Sequence, residues 1–274
     1  MNLLEQTKKL CKLYNIVPAR SRGQNFLIKE KIYDDIMAAA DLKPADIVLE
    51  VGPGLGFLTA KLAAQVKKVI AVELDDKLVK TLGAGLKARG INNVELINED
   101  ILKISNPNNQ TKNYKIVANL PYNITSIFLR KFLAEAENKP ELMALMLQKE
   151  VAERICAKTG SMSLLAVSVQ FYAKPEIVQI VKKENFWPEP EVDSAIIKLE
   201  VRSKKLEVNE REFFRLVKFG FSAKRKMLKN NLAAGLKISQ ETAKNKIISA
   251  GFNQKIRAQE LSVDDWLKLF SVFN

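Results

Sequence analysis

Short apolar runs and stretches of helical period alternate along the first half of the chain. Lys31 to Ala40 has a helical period, Ile47 to Val51 is an apolar run, and Phe57 to Val66 is helical again. Lys68 to Val72, Val94 to Ile97 and Tyr114 to Ala118 read as further strands, with helical stretches between them through to about Leu147. Strands separated by helices predict a parallel sheet covered by those helices. Gln148 to Ala157 and Ser163 to Tyr172 continue the helical pattern. The pattern then changes. Glu176 to Val181 and Ala195 to Val201 are strand-like and joined by the proline-containing stretch Phe186 to Ser194, which predicts an antiparallel hairpin at the sheet edge. From about Asn209 onward the period is helical, with Gly235 and Gly251 as breaks. The expected architecture is an α/β domain over residues 1–202 and a small helical domain over residues 203–274, with the boundary in the polar stretch Arg202 to Lys205.

Candidate chemistry collects where strands end. The run Ile47 to Val51 leads into Gly52-Pro53-Gly54-Leu55-Gly56 and then a helix, the Rossmann-like device in which glycines let backbone approach a ligand. Phe57 stands where a dinucleotide fingerprint wants a small residue. Its bulk disfavours a pyrophosphate and suits a phosphate-free nucleoside such as S-adenosylmethionine. Glu73, at the end of the next strand, is placed to accept from ribose hydroxyls, and Asp100, after Asn98-Glu99, from a cofactor adenine amine. The strand Tyr114 to Ala118 ends in Asn119-Leu120-Pro121-Tyr122, a loop suited to a planar amine. The Asn119 side-chain oxygen and the Leu120 carbonyl are the expected acceptors, Pro121 fixes the turn and Tyr122 stacks on the base. Taken singly, each of these is better explained as a solvated carboxylate or an ordinary turn; it is their order, each after a strand, that points to a nucleoside-cofactor site.

Charge and composition narrow the partners. Of a formal net charge of +13, residues 31–200 contribute nothing, whereas residues 1–30 carry +4 and residues 201–274 carry +9. An excess confined to the two ends marks a polyanion surface, and RNA or DNA is the expected partner. Lys224, Arg225, Lys226 and Lys229 are the expected phosphate contacts; the alternative is the solvent face of a helix whose Leu228 and Leu232 turn inward. Arg22 either touches phosphate or caps a solvated loop. The chain has no histidine, which removes Ser-His-Asp and Cys-His catalysis, and with two cysteines it offers no usual zinc set. Methyl transfer from a sulfonium fits this poverty, because the leaving thioether needs no acid and positioning supplies much of the rate. Cys11 and Cys156 make no disulfide framework, no run of about 18 apolar residues occurs, and Met1 to Leu13 lacks the apolar centre of a secretory signal. A monomer in a reducing cytoplasm is expected.

The ordered set Gly23-Gln24-Asn25-Phe26-Leu27, Glu50-Val51-Gly52-Pro53-Gly54-Leu55-Gly56, Asn119-Leu120-Pro121-Tyr122-Asn123-Ile124, Gln148-Lys149-Glu150 and Phe186 to Ser194 resembles the KsgA/RsmA family of small-subunit ribosomal RNA adenine dimethyltransferases. The similarity runs from about residue 20 to the C-terminus. It implies an S-adenosylmethionine-dependent methyltransferase fold with the donor held at Asn25, Leu27, Gly52, Glu73, Asp100 and Asn119. It also makes Phe186 a second wall of the target-base pocket; alone, a Phe before Trp187-Pro188 reads as a staple onto the core. The implied reaction is double methylation of two adjacent adenines in a hairpin near the 3′ end of the small-subunit RNA during ribosome assembly. Lys29, and Lys182-Lys183 in place of a proline pair, depart from the family pattern. Competing readings are a large-subunit ribosomal RNA methyltransferase of the resistance type, a non-enzymatic RNA-binding assembly factor, and a nicotinamide oxidoreductase, the last disfavoured by Phe57 and the basic tail.

Overall fold

A computed structural model of the protein describes residues 1–18, 23–104, 113–203 and 207–274. In chain order the elements begin with α1 (Leu3–Leu13), β1 (Phe26–Leu27), α2 (Glu30–Ala39), β2 (Ile47–Val51), α3 (Phe57–Ala63), β3 (Lys68–Glu73), α4 (Asp76–Ala88) and β4 (Val94–Asn98). They continue with β5 (Lys115–Asn119), α5 (Thr125–Arg130), β6 (Leu142–Gln148), α6 (Lys149–Ile155), α7 (Leu164–Tyr172), β7 (Ala173–Val181), β8 (Phe186–Trp187) and β9 (Ser194–Val201). The last helices are α8 (Glu210–Gly220), α9 (Leu228–Leu236), α10 (Gln240–Ser249) and α11 (Val263–Phe273). They divide into two compact units, Met1–Ala152 with Ala173–Ser203, and Glu153–Tyr172 with Lys204–Asn274.

The first unit is built on a seven-stranded sheet of order β4-β3-β2-β5-β6-β9-β7. The first five strands are parallel, and β9 and β7 close the sheet antiparallel, with β9 inserted between β6 and the edge strand β7. Strands covered on both faces need no alternation: β6 reads LMALMLQ and is buried along all but its last residue, whereas the edge strand β7 alternates exposed and half-buried positions. Helix α2 lays Ile32, Ile36 and Met37 into the core with Val48, Val69, Val117 and Ala144 of the strands. The sequence steps from β2 outward to β3 and β4, then returns to β5 on the other side of β2. That reversal leaves a crevice at the carboxyl ends of β2 and β5, the place where open α/β sheets take ligands.

The second unit is helical. Residues Glu153–Tyr172, which the strand–helix alternation assigns to the first domain, group here instead. The reason is aromatic packing: the Phe171 ring lies 4.8 Å from that of Phe213 and 5.1 Å from that of Phe214, both on α8. Gln170 Nε2 adds hydrogen bonds to the carbonyls of Ile155 and Ala157, at 2.8 and 2.9 Å. Helix α8 ends at Gly220, where any Cβ would lie 2.2 Å from the ring of the fully buried Trp266. Among the described residues, no helix is long and apolar enough to cross a membrane.

Candidate active site

The glycine loop after β2 turns with positive φ at Gly52, Gly54 and Gly56, at 68°, 58° and 81°. At Gly56, the N-cap of α3, a Cβ would meet Leu82 Cδ1 at 2.3 Å, so glycine is required there by packing as well as by φ. The loop is tied to the next strand. Gly54 N donates to Glu73 Oε2 at 3.1 Å, and Asp75 N donates to Oε1 at 3.0 Å. Glu73 is 8% exposed, and each of its oxygens retains acceptor capacity beyond these bonds. Burial pushes its carboxyl up from the ordinary range while the backbone N–H groups of Asp75, Gly54 and Leu74 pull it down.

The crevice beside this loop is a cavity lined by Asn25, Leu27, Gly52, Gly54, Glu73, Asn119 and Pro121, seven of the residues singled out from the sequence. Phe57 lines it as well. Two further lining residues, Glu50 and Leu74, have no role in the sequence reading. Glu50 of β2 is 1% exposed, and neither of its oxygens has a hydrogen-bond partner among the described residues. Burial pushes its pKa up to about 8; the neighbouring Thr59 hydroxyl, outside strict hydrogen-bond geometry, pulls it down, and the charge of Glu73 raises it further. A carboxyl so buried without a partner is costly to ionise unless a positive charge stands beside it. The available signal was a lone carboxylate inside an apolar strand, a position that buried strands rarely give to Glu. Leu74 is 59% exposed at the cavity edge, apolar surface that a heterocycle would cover.

The loop after β5 meets the cavity at Asn119. Asn119 Nδ2 donates to the Asn25 carbonyl at 3.4 Å, which leaves its Oδ1 as the free acceptor. Leu120 is buried and its N–H donates to the Met146 carbonyl at 3.2 Å, fixing the loop to β6. Tyr122 opens a single 3₁₀ turn, Tyr122–Ile124, and its hydroxyl lies 3.0 Å from Ser194 Oγ. Burial raises the Tyr122 phenol, and the Ser194 bond lowers it.

Other expected residues sit elsewhere. Phe186 is 3% exposed in the core cluster with Leu27, its backbone paired with Leu27 in a two-residue ladder, and it does not line the donor cavity. Asp100 closes a turn, its Oδ1 accepting from Leu102 N at 2.9 Å, and it does not line the cavity. Gly56 does not line the cavity. Lys224, Arg225 and Lys226 occupy an exposed turn between α8 and α9, not a helix face, because Asn231 Nδ2 bonds the carbonyls of Gly220 and Ala223 at 2.6 and 3.1 Å and holds the chain out of helical path. Lys229 is half-buried in the first turn of α9. Arg22 lies outside the described residues. The Lys182-Lys183 departure is put to use: Lys182 Nζ pairs with Asp193 at 3.0 Å and Lys183 Nζ with Glu189 at 2.8 Å, clasping the loop before β9. Among the described residues no cluster of His, Cys, Asp or Glu is suited to a metal ion.

A mostly parallel sheet with its glycine loop, and beside that loop a cavity bordered by the buried carboxyls of Glu50 and Glu73, is the architecture of a Rossmann-like methyltransferase that uses S-adenosylmethionine. Comparison with known proteins gives the particular family. The profile for ribosomal RNA adenine dimethylase matches residues 19–274. The ribosomal RNA small subunit methyltransferase A of Dehalococcoides mccartyi (strain CBDB1) is 47% identical over 272 residues, 98% of this chain and 92% of the relative. Among solved structures, a dimethyladenosine transferase from Plasmodium falciparum superposes with a TM-score of 0.78 at 32% identity, over 91% of this chain and 97% of the other. The 23S rRNA methyltransferase ErmE gives 0.75 at 29% identity, over 90% and 99%. The chain belongs to the ribosomal RNA adenine dimethylase family, and it is an S-adenosylmethionine-dependent enzyme that dimethylates adenine in ribosomal RNA.

Proposed function

We propose that the substrate is the small-subunit RNA in an immature ribosomal particle, and that the enzyme, a cytoplasmic monomer, methylates two adjacent adenines of a hairpin near the 3′ end, each twice. The observation that carries the site assignment is the convergence, at the ends of β2, β3 and β5, of Glu50, Glu73 and Asn119 on one cavity. When bound, S-adenosylmethionine supplies a methyl group on a sulfonium. The chain's part is to hold and align. Glu73 takes the ribose hydroxyls, the glycine loop gives close backbone approach, Leu74 covers the donor's heterocycle, and the negative pair Glu50 and Glu73 suits the cationic donor. Asn25 and Leu27 close the cavity from the side of β1.

An adenine amine is a poor nucleophile because its lone pair is delocalised into the ring. Asn119 Oδ1 and the Leu120 carbonyl accept from its two hydrogens and hold it in a more pyramidal form, while Tyr122 stacks on the base. The basic turn Lys224 to Lys226, with Lys229, lies against RNA phosphates. It supplies affinity without reading sequence.

The overall fold does not separate small-subunit from large-subunit substrates, since ErmE superposes nearly as well as the dimethyladenosine transferase. Sequence favours the small subunit: 47% identity to the small-subunit enzyme against 29% to ErmE. The test is to incubate the protein with labelled S-adenosylmethionine and, separately, small and large subunits lacking modification. Label is expected in adenines of small-subunit RNA alone. Label only in the large subunit, or in neither, overturns the proposal.

A further inference from the structure

Tyr122 is tethered at its far end. Its hydroxyl lies 3.0 Å from the hydroxyl of Ser194, a residue with no exposed surface. Ser194 is the first residue of β9 and is pinned on both sides, opposite Gln148 of β6 and Val181 of β7. The residue before it is fixed as firmly. Asp193 Oδ1 accepts from Lys183 N at 3.1 Å, its Oδ2 accepts from Lys182 Nζ at 3.0 Å, and its carbonyl accepts from Lys149 N at 3.0 Å. The serine hydroxyl is therefore a rigid point in the sheet facing a tyrosine that stands on a short turn.

A half-buried phenol could satisfy its hydroxyl with water. Bonding to a group fixed in the sheet does something water cannot, because it removes the ring's freedom to swing about its two side-chain dihedrals. The ring is then held at both ends, by the turn after Pro121 at its Cα and by Ser194 at its oxygen. A base stacked on a swinging ring carries its amine away from Asn119 Oδ1. A base stacked on a fixed ring keeps it there.

We propose that Ser194 is a positioning residue for methyl transfer, holding the Tyr122 ring in the plane on which the target adenine stacks. The proposal rests on the reading of Tyr122 as the base-stacking residue, and its test separates the two. Ser194→Ala removes one hydroxyl from a buried strand position and leaves the backbone pairing intact. Loss of one neutral hydrogen bond at the reacting end is expected to slow single-turnover transfer about fivefold to tenfold. Donor affinity should stay at its wild-type value, since the serine does not line the donor cavity.

A role confined to holding β9 in place would lower the rate whatever stands at 122, so the deciding comparison is a double-mutant cycle. Single-turnover rates are measured at saturating donor and RNA for the wild type, Ser194→Ala, Tyr122→Phe, the double variant and Tyr122→Ala, with melting temperatures confirming that each is folded. The proposal expects Ser194→Ala and Tyr122→Phe to be slowed alike and the double variant to be no slower than either. A wild-type rate for Ser194→Ala beside a slow Tyr122→Ala overturns the proposal and leaves the stacking role standing. Equal slowing by Ser194→Ala in the Tyr and Phe backgrounds also overturns it, by showing a structural effect. A wild-type rate for Tyr122→Ala removes the stacking role and this proposal with it.

Discussion

Glu50 gives the donor site a pH dependence that can be worked out in advance. Its pKa is pushed up to about 8 from an ordinary 4.5, first by burial and then by the charge of Glu73. At 1.36 kcal/mol per unit, ionising it in the empty cavity costs about 5 kcal/mol relative to an exposed glutamate. A carboxyl whose pKa is raised on folding favours the folded state at low pH, and that advantage is lost as pH rises through the window from about 4.5 to about 8. The empty protein should therefore lose stability across that window. A cationic donor beside Glu50 favours the carboxylate, so binding must expel a proton wherever the empty site holds one. Below the raised pKa, donor affinity should climb about tenfold from pH 6 to pH 7, with close to one proton released per donor at pH 7. The donor's own ammonium remains charged in that interval, with an ordinary value near 8. Calorimetry in two buffers of different ionisation enthalpy counts the protons directly. In Glu50→Gln most of the pH slope and most of the proton release should vanish. An unchanged slope and proton count in Glu50→Gln would refute the assignment of this carboxyl to the donor's charge.

Three other outcomes follow from named contacts. Glu73→Ala should weaken donor binding by about 1.5–3 kcal/mol, the scale of hydrogen bonds to a charged group, and an unchanged donor affinity by calorimetry would remove the ribose assignment. Tyr122→Ala should cost about 1–3 kcal/mol of base stacking, read as weaker binding of a hairpin carrying the target adenines relative to one without them. Changing Lys224, Arg225 and Lys226 together to Gln should flatten the salt dependence of RNA binding by roughly two to three units of slope while donor affinity holds; identical slopes would make the turn merely solvated.

What the sequence showed and what it concealed divide by range of interaction. Strands β2 and β3 were legible because a buried parallel strand is a continuous apolar run, followed here by Gly52 and closed by Glu73; β4 has no fully buried residue and was legible only from Val94, Leu96 and Ile97. In the antiparallel pair, β9 was legible as a largely apolar run and the edge strand β7 from its alternation. The pairing of Phe26 and Leu27 with Trp187 and Phe186 was not, since two residues carry no period and their partners are 161 and 159 positions away. That ladder is what buries Phe186. Residues 153–172 carry a helical pattern that fits either unit, and only the packing of Phe171 on Phe213 and Phe214 decides between them. Lys224 to Lys226 continue the helical period by composition, and a distant amide, that of Asn231, takes them out of it. Glu50 was visible as a letter of a motif, but its unpaired burial is a property of the fold alone.

The central claim is that the loop after β5 holds the adenine amine for attack, and it meets its most direct test at Asn119. Single-turnover transfer by Asn119→Ala, measured with donor and RNA both saturating, isolates the step in which that amide acts. Removing one positioned acceptor at the reacting centre is expected to slow transfer by about 10²–10³ while the protein still folds and binds RNA. A rate near that of the wild type would contradict the account and place the amine elsewhere.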